Sequence, residues 1–268
     1  MKNIVDKKYN FIRPLQVNSL KRLGRNADGG YIVDNNLIKK ANYLISLGMG
    51  NDWSFENDLI NKNQEITIHI YDHTVNAGVY IKNILKNLRR FFTFRSNYKA
   101  LKSSILELLK YKIFLNQKNV NLFREKVVNP TKNNKESDIK KIFSRIDTSK
   151  NIILKCDIEG SEYEIISSIL NVSKNIDTLL IEFHDLDKND NIFIESMNHL
   201  KEKFNIIHLH GNNHADKLAN GLPKIIEITL LNKKYLIDNS LHVNHFPIKD
   251  LDFPNNPNKE DLNFSFQD

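Results

Sequence analysis

NYLISLGMGNDWSFENDLINKNQEITIHIYD, residues 42–72, is the stretch of the chain that decides the fold. It contains an apolar run, the glycines Gly48 and Gly50, a segment with apolar residues at helical spacing, and a second apolar run that stops at Asp72. This order predicts a strand, a glycine turn, a helix and a second, parallel strand that ends in an acid. Glycines let backbone N–H groups approach a ligand closely, and an acid at the tip of the next strand can bind both hydroxyls of a ribose. The stretch therefore predicts half of a nucleoside-binding site.

The parts that are missing narrow the choice of nucleoside. A dinucleotide-binding turn needs a third glycine and a helix N-terminus open to pyrophosphate, but Trp53 and Asp52 occupy these places. The pattern GxxxxGK[ST] does not occur in the sequence, so a nucleoside triphosphatase would lack its defining loop. S-adenosylmethionine fits what remains, because it is a nucleoside with an amino-acid tail and no phosphate. An ordinary turn between strand and helix is the alternative interpretation of this stretch alone.

Length and composition predict one α/β domain with two flanking segments. The chain has 268 residues, of which 40% are hydrophobic, and no linker rich in proline, glycine or serine divides it. Residues 1–40 are expected to pack on the core, and residues 41–245 are expected to form the domain, with a helical insertion at 79–118. Residues 246–268 contain several prolines and many asparagines, and this composition predicts a tail that lies on the surface or is partly disordered.

Cysteine usage and hydropathy predict a soluble, cytoplasmic protein. The only cysteine, Cys156, lies in an apolar run, which excludes a disulfide framework and a thiolate metal cluster. The first eight residues are charged and have no apolar core, which is not the pattern of a signal peptide. No apolar run is long enough to cross a bilayer.

The chain carries 39 basic and 32 acidic side chains, a net charge of +7 that suggests an anionic partner. Much of this excess also fits a general bias toward lysine, asparagine and isoleucine. In residues 79–118, apolar side chains recur at helical spacing and predict two amphipathic helices. Their basic residues can contact a phosphorylated substrate or an anionic membrane surface, or can simply be solvated. These residues are Lys82, Lys86, Arg89, Arg90, Lys99, Lys102, Lys110 and Lys112.

Polar residues follow three later strands of the predicted sheet. They are Asp157 with Glu159, then His184, then His210. The carboxyl ends of parallel strands lie at one edge of an open sheet, where ligands bind, so we expect these residues near the glycine turn. The last predicted strand, at 224–231, begins about ten residues after the preceding one, which is too close for a helical crossover and predicts an antiparallel pair.

Several motifs, taken in order, resemble the FkbM-type methyltransferase family. They are Asp28-Gly29-Gly30-Tyr31, Leu47 to Asp52 with Phe55-Glu56, Lys155 to Glu162, Ile181 to His184, His208 to Asn213, and Pro223 to Thr229. The resemblance covers about residues 20–231. It implies a class I methyltransferase fold: α/β and Rossmann-like, with a mostly parallel seven-stranded sheet, helices on both faces and an antiparallel last strand. It also implies methyl transfer from S-adenosylmethionine to oxygen, often on sugars of polyketides or cell-surface polysaccharides.

The resemblance and the strand-end chemistry together suggest roles for the candidate residues. The cofactor-binding residues are expected to be Asp28, Tyr31, Gly48, Gly50, Asn51, Asp72, Asp157 and Glu159. Within this set, Asp72 holds the ribose, and Asp157 faces the cationic tail or the acceptor, so that it is also a catalytic candidate. A hydroxyl needs a base near the methyl group, and His184 and His210 are the candidates because neutral imidazole accepts protons near pH 7.

Other interpretations remain open at this point. His208 and His210 share one strand face and resemble a metal pair that Asp157 and His184 can join, but the spacing matches no zinc signature and no metal is expected. The acceptor is expected to be a small molecule or glycan, such as a nucleotide-activated sugar, and no nucleic acid is expected. The alternatives are methylation of a nitrogen or of a phosphorylated small molecule, a basic nucleic-acid-binding module, and an inactive cofactor-binding scaffold.

Overall fold

The computed structural model describes residues 4–93, 97–235 and 244–267. In chain order the strands are β1 (Leu20–Leu23), β2 (Tyr31–Asp34), β3 (Tyr43–Leu47), β4 (Thr67–Tyr71), β5 (Val120–Phe123), β6 (Lys126–Val127), β7 (Glu136–Ser137), β8 (Ile152–Cys156), β9 (Ile176–Phe183), β10 (Phe204–Gly211), β11 (Ile226–Asn232), β12 (His245–Phe246) and β13 (Phe264–Ser265). The helices are α1 (Asn35–Ile38), α2 (Ser54–Lys62), α3 (Gly78–Phe92), α4 (Tyr98–Leu115), α5 (Ile139–Phe143), α6 (Glu162–Val172) and α7 (Asp190–Lys203).

Seven strands form the central sheet, in the order β10-β11-β9-β8-β3-β4-β5. β11 runs antiparallel to both of its neighbours, and the other neighbouring pairs are parallel. β3 is the first strand of this sheet in chain order. β4 and β5 follow on one side of β3, and β8 then pairs with the other side of β3. This is the class I methyltransferase fold. The predicted fold class is confirmed, and the return between β3 and β8 creates the switch point at which such sheets bind ligands.

Each face of the sheet carries its own apolar core. Ile45 and Leu154 belong to one buried cluster, whereas the adjacent Leu44 and Ile153 belong to the other, because successive side chains of a strand point to opposite faces. Helices α5, α6 and α7 cover the first face, and α2, α3 and α4 cover the second. Strands that are buried on both faces have no solvated positions, which explains why they are continuous apolar runs in the sequence.

The N-terminal segment forms a hairpin that reaches the carboxyl edge of the sheet. β1 pairs antiparallel with β2, and a turn at Asp28 and Gly29 lies between them. The hydroxyl of Thr229 on β11 donates to the carbonyl oxygen of Ile32 on β2 at 2.7 Å. This contact holds the turn and Tyr31 beside the ends of the central strands.

The predicted insertion consists of the two helices α3 and α4, which pack against each other. Trp53, at the start of α2, anchors them through ring contacts with Tyr80 at 5.9 Å, Tyr111 at 5.5 Å and Phe114 at 6.0 Å. The Tyr80 hydroxyl also donates to the carbonyl oxygen of Asn51 at 3.1 Å. Among the residues described, no helix is both long and apolar enough to cross a membrane.

The C-terminal segment is part of the folded core, which corrects the prediction of a surface or partly disordered tail. Phe246, Phe264 and Phe266 are buried in the larger apolar cluster, and β12 pairs with β13. The prolines and asparagines of this segment form its turns, and the phenylalanines between them supply the buried contacts. The composition of this segment therefore gave no sign of its burial.

Candidate active site

A cleft of about 300 Å³ opens at the carboxyl ends of β3, β4 and β8. The strand register places Leu47 opposite both Tyr71 and Cys156, so the three strands end at the same level. The loops that follow these strands form the walls of the cleft. Its lining includes all but one of the predicted cofactor residues: Asp28, Gly48, Gly50, Asn51, Asp72, Asp157 and Glu159.

The two glycines of the first loop are required for different reasons. Gly48 has a φ of +77°, and a Cβ atom there would lie 1.7 Å from the carbonyl oxygen of Asp157. Only glycine lets the two loops approach so closely. Gly50 has a φ of +59°, and a Cβ atom there would meet nothing within 4 Å, because this position faces the open space of the cleft.

Asp72 accepts four hydrogen bonds, two from the glycine loop and two from Thr74 in its own loop. Its Oδ2 accepts from the backbone N–H groups of Met49 at 3.0 Å and Gly50 at 2.8 Å. Its Oδ1 accepts from the backbone N–H and the hydroxyl of Thr74, at 2.7 and 2.6 Å. Burial alone would raise the pKa of Asp72, but the hydrogen bonds from these donors outweigh burial and lower the pKa. A carboxylate has about four acceptor positions, so a ribose hydroxyl must share or replace one of these bonds.

Lys155 supports the same loop from below. Its Nζ donates to the carbonyl oxygen of Gly48 at 2.7 Å and lies 4.0 Å from Glu56 Oε1. Both side chains are almost completely buried. Burial alone would lower the pKa of Lys155, but Glu56 and Asp157 outweigh it and raise the pKa, so the lysine remains a cation beneath the cleft.

Asp157 joins the cleft to the second part of the site. The Tyr31 hydroxyl donates to Asp157 Oδ2 at 2.9 Å. Tyr31 is buried and does not line the cleft, which corrects the prediction that it touches the cofactor edge: its contact is with Asp157. Burial and the charge of Asp157 raise the pKa of Tyr31 well above its usual range, so its hydroxyl remains a proton donor.

Glu125 lies on the opposite wall and was not identified from the sequence. Arg145 donates to both of its carboxylate oxygens at 3.0 Å. Burial would raise the pKa of Glu125, but Arg145 and Ser137 outweigh it and lower the pKa to about 2. The missed signal was its position two residues after the end of β5, where the rule applied to the other strands also predicts a site residue.

His184 forms a hydrogen-bonded pair with Glu162. Its Nδ1 donates to Glu162 Oε1 at 2.7 Å, and Glu162 is fully buried in the first turn of α6. Burial would lower the pKa of His184, but Glu162 and then Asp157 outweigh it and raise the pKa. From sequence, Glu162 is a first-turn acid that suits the helix dipole. The structure adds a second role, since Glu162 orients the imidazole and leaves Nε2 to accept a proton.

Asp157, Glu182 and His184 form a compact group in which one donor atom from each lies within 4.8 Å of the others. Asn212 donates to Glu182 at 2.7 Å. Burial, Asp157 and Glu227 together raise the pKa of Glu182 well above its usual range. Two carboxylates and an imidazole can share a proton or bind a divalent cation. This group contains Asp157 and His184 of the metal alternative that the sequence suggested, with Glu182 in place of His208 and His210.

His210 is the second predicted base, and the structure corrects this assignment. Its Nδ1 lies 3.3 Å from Glu227 Oε2 and its Nε2 lies 3.1 Å from Asp261 Oδ2, so both nitrogens are occupied. Burial would lower its pKa, but Asp261 and Glu227 outweigh it and raise the pKa to about 10. A buried imidazolium with two carboxylate partners cannot accept a proton at neutral pH. His208 has a comparable structural contact, with Asp252 at 3.0 Å.

No protein-family model matches the chain, and no curated protein matches it in sequence. Solved structures with a similar fold include the Methanococcus jannaschii fibrillarin pre-rRNA processing protein, at 10% identity and a TM-score of 0.39 over 73% of this chain and 68% of that one. They also include a precorrin-6y C5,15-methyltransferase from Geobacter metallireducens, at 11% identity and a TM-score of 0.36 over 73% of this chain and 82% of that one. A predicted O-methyltransferase from Agrobacterium tumefaciens has 7% sequence identity and a TM-score of 0.37 over 73% of this chain and 76% of that one. At these scores the similarities do not support a functional assignment, and the fold assignment rests on the strand order of the central sheet.

Proposed function

We propose that the protein is an S-adenosylmethionine-dependent O-methyltransferase of the FkbM type, acting on a hydroxyl of a sugar or a sugar-containing intermediate in surface glycan biosynthesis. The observation that carries this proposal is the adjacency of two features. Asp157 lines the nucleoside-sized cleft and also belongs to the group that contains His184. A cofactor cleft and an oriented base therefore share a border, which is where a methyl donor and an acceptor must meet.

The cleft residues fit the cofactor in shape and in charge. Gly50 faces the open space of the cleft and leaves room for the cofactor to pass along the loop, and we assign Asp72 to the ribose. Asp157 and Glu159 offer carboxylates to the positively charged sulfonium and amino-acid end. When bound, the cofactor supplies an activated methyl group on sulfur.

The chain's own residues then position the acceptor and remove its proton. His184 Nε2 takes the hydroxyl proton while Glu162 holds the ring and stabilises the imidazolium that forms. The bound cofactor would supply its methyl group to the acceptor oxygen, and the electron pair of the broken sulfur–carbon bond would stay on sulfur. In-line displacement needs the two reactants held in alignment, and the adjacency of the cleft and the base supports this proposal.

Cofactor binding is tested by a matched pair of glycine variants. Gly50→Ala places a methyl group in the cleft, whereas Gly160→Ala places one in open space outside the lining, and both sites have positive φ. Calorimetric titration with S-adenosylmethionine and its demethylated product is expected to show binding to the wild type and to Gly160→Ala, and at least roughly tenfold weaker binding to Gly50→Ala. No binding to the wild type at millimolar cofactor would refute the proposal.

Catalysis is tested with a matched pair of histidine variants and a screen of nucleotide-activated sugars as acceptors. His184→Gln is expected to keep cofactor affinity and to lose roughly 10²–10⁴-fold in turnover, the usual contribution of a positioned base. His214→Gln changes an exposed histidine and is expected to behave as the wild type. Full activity in His184→Gln would show that the base has been assigned wrongly. Methylation only of amines or phosphorylated small molecules would instead overturn the sugar acceptor.

A further inference from the structure

The helices α3 and α4 expose an unusual concentration of large apolar side chains. Nine of the eleven exposed large apolar side chains in the described part of the chain lie on these two helices, with exposed fractions of 38% to 72%. They are Ile81, Leu85, Phe91, Phe92, Tyr98, Ile105, Leu106, Leu109 and Ile113. Exposed apolar residues on a soluble surface are normally scattered, whereas a cluster marks a surface that is covered by something else.

Seven of these nine apolar residues lie on the same side of the helix pair. At 100° per residue, Ile81, Leu85 and Phe92 lie about a quarter turn from the line of half-buried residues through which α3 contacts α4. Tyr98, Ile105, Leu109 and Ile113 form a stripe about a third of a turn from the corresponding line on α4, in the same rotational sense. Five residues connect the helices, so they are antiparallel. Rotations in the same sense about antiparallel axes point to the same side of the pair, so the two stripes lie next to each other.

The same two helices carry the whole net charge of the protein. They contain eight basic residues and one acidic residue, Glu107, a surplus of +7. The rest of the chain has 39 − 8 = 31 basic and 32 − 1 = 31 acidic side chains, which balance. All eight basic side chains are exposed. A general compositional bias toward lysine does not produce this separation.

We propose that the α3–α4 pair docks on an anionic membrane surface. Its apolar side enters the boundary between headgroups and acyl chains. Arg89 and Lys112 at the border of that side, and Lys102 within the α4 stripe, contact lipid phosphates. This combination of one apolar side and a basic border is the chemistry of helices that lie in a membrane interface. The proposal is independent of the proposed function, because it rests only on the surface of the helices.

The charge distribution favours a lipid surface over other partners. A second copy of the chain would bring two strongly positive surfaces together, and like charges across an interface oppose association. A nucleic acid would satisfy the lysines and arginines but would leave the apolar side chains against phosphates and water. An anionic bilayer satisfies both properties at once.

The test is sedimentation of the full chain with vesicles of phosphatidylcholine alone or of phosphatidylcholine with 30% phosphatidylglycerol. Binding is expected only to the anionic vesicles and is expected to weaken as salt increases. The charge variant Arg89→Gln/Lys102→Gln/Lys112→Gln is expected to bind about 100-fold more weakly, since each basic side chain near the surface contributes about fivefold. The apolar variant Leu85→Ser/Leu109→Ser/Ile113→Ser is expected to lose at least about tenfold.

Matched controls alter the same chemistry elsewhere on the surface. Lys39→Gln/Lys40→Gln/Lys62→Gln removes three exposed charges, and Ile192→Ser removes an exposed apolar residue on α7. Both are expected to bind vesicles as the wild type does, and unfolding midpoints verify that every variant is folded. Absent or charge-independent vesicle binding would overturn the proposal. A dimer that dissociates only in the apolar variant would also overturn the proposal. Equal losses of vesicle binding in the two control variants would do the same.

Discussion

Replacing Lys155 by methionine removes a buried cation and keeps a side chain of similar length. Lys155 Nζ lies 2.7 Å from the Gly48 carbonyl oxygen and 4.0 Å from Glu56 Oε1. Without the lysine, Glu56 remains fully buried, and the Ser46 hydroxyl at 2.7 Å is its remaining side-chain donor. A buried carboxylate that has lost its counter-charge takes up a proton rather than staying ionised.

The cost of that proton sets the expected loss of stability. At pH 7, protonating a carboxyl group with the ordinary pKa of 4.5 costs about 3 kcal/mol. The lost hydrogen bond to Gly48 adds about 1 kcal/mol, for about 4 kcal/mol in all, which agrees with the usual cost of breaking a buried ion pair. At pH 5 the proton costs about 1 kcal/mol, so the total falls to about 2 kcal/mol.

The sign of the pH dependence follows from the buried acid. Burial raises the pKa of Glu56 despite the opposing effect of Lys155, and the variant removes that opposition. The folded variant therefore holds a proton that the unfolded chain releases, so its stability falls as the pH rises from 5 to 7.

Urea unfolding at pH 5 and pH 7 measures this difference. The double variant Lys155→Met/Glu56→Gln has no buried charge to neutralise and is expected to recover most of the loss at pH 7, with little change between the two pH values. If Lys155→Met lost the same free energy of unfolding at both pH values, the reasoning that Glu56 becomes protonated would be refuted.

Four further outcomes follow from the site and the core. Because Glu162 raises the pKa of His184 above its ordinary 6.5, the rate of methyl transfer is expected to rise with pH above that value. Glu162→Gln should move this rise to lower pH. A pH–rate profile that does not move would contradict the pairing of His184 with Glu162. The raised pKa of His210, about 10, stabilises the fold fully below pH 6.5 and progressively less as the pH approaches 10, so His210→Asn should flatten urea midpoints across that range. Phe264→Ala is expected to cost about 3–5 kcal/mol in urea unfolding, while the exposed Phe92→Ala should cost less than about 0.5 kcal/mol; equal losses would contradict the packing of the C-terminal segment. With His184 as the base, activity is expected to survive dialysis against EDTA, whereas a loss that Mg²⁺ or Mn²⁺ restores would make Asp157, Glu182 and His184 a cation site.

The parts of the fold that local pattern determines were predictable. Continuous apolar runs marked the central strands, helical spacing marked α3 and α4, and the short connection before β11 marked an antiparallel pair. The glycine loop was also predictable, because Gly48 and Gly50 need backbone conformations that other residues rarely adopt.

Long-range placement was not predictable, and the three predicted strand-end residues show why. Asp157 and His184 follow the neighbouring strands β8 and β9, and the structure brings them together. His210 ends β10, but β11 inserts between β9 and β10 and moves His210 away from the cleft. Nothing in the local sequence of β10 records this insertion. The partner Asp261, which lies 51 residues later in the C-terminal segment, is equally invisible to local patterns.

Trp53 is the only tryptophan of the chain, and its position gives it a second use. It follows directly after the loop that lines the cleft, and its ring contacts Tyr80 on α3 and Tyr111 on α4. One indole thus lies at the junction between the ligand loop and the exposed helical pair. The protein carries its own optical probe, and unlabelled emission spectra can follow ligand entry on one side and lipid contact on the other.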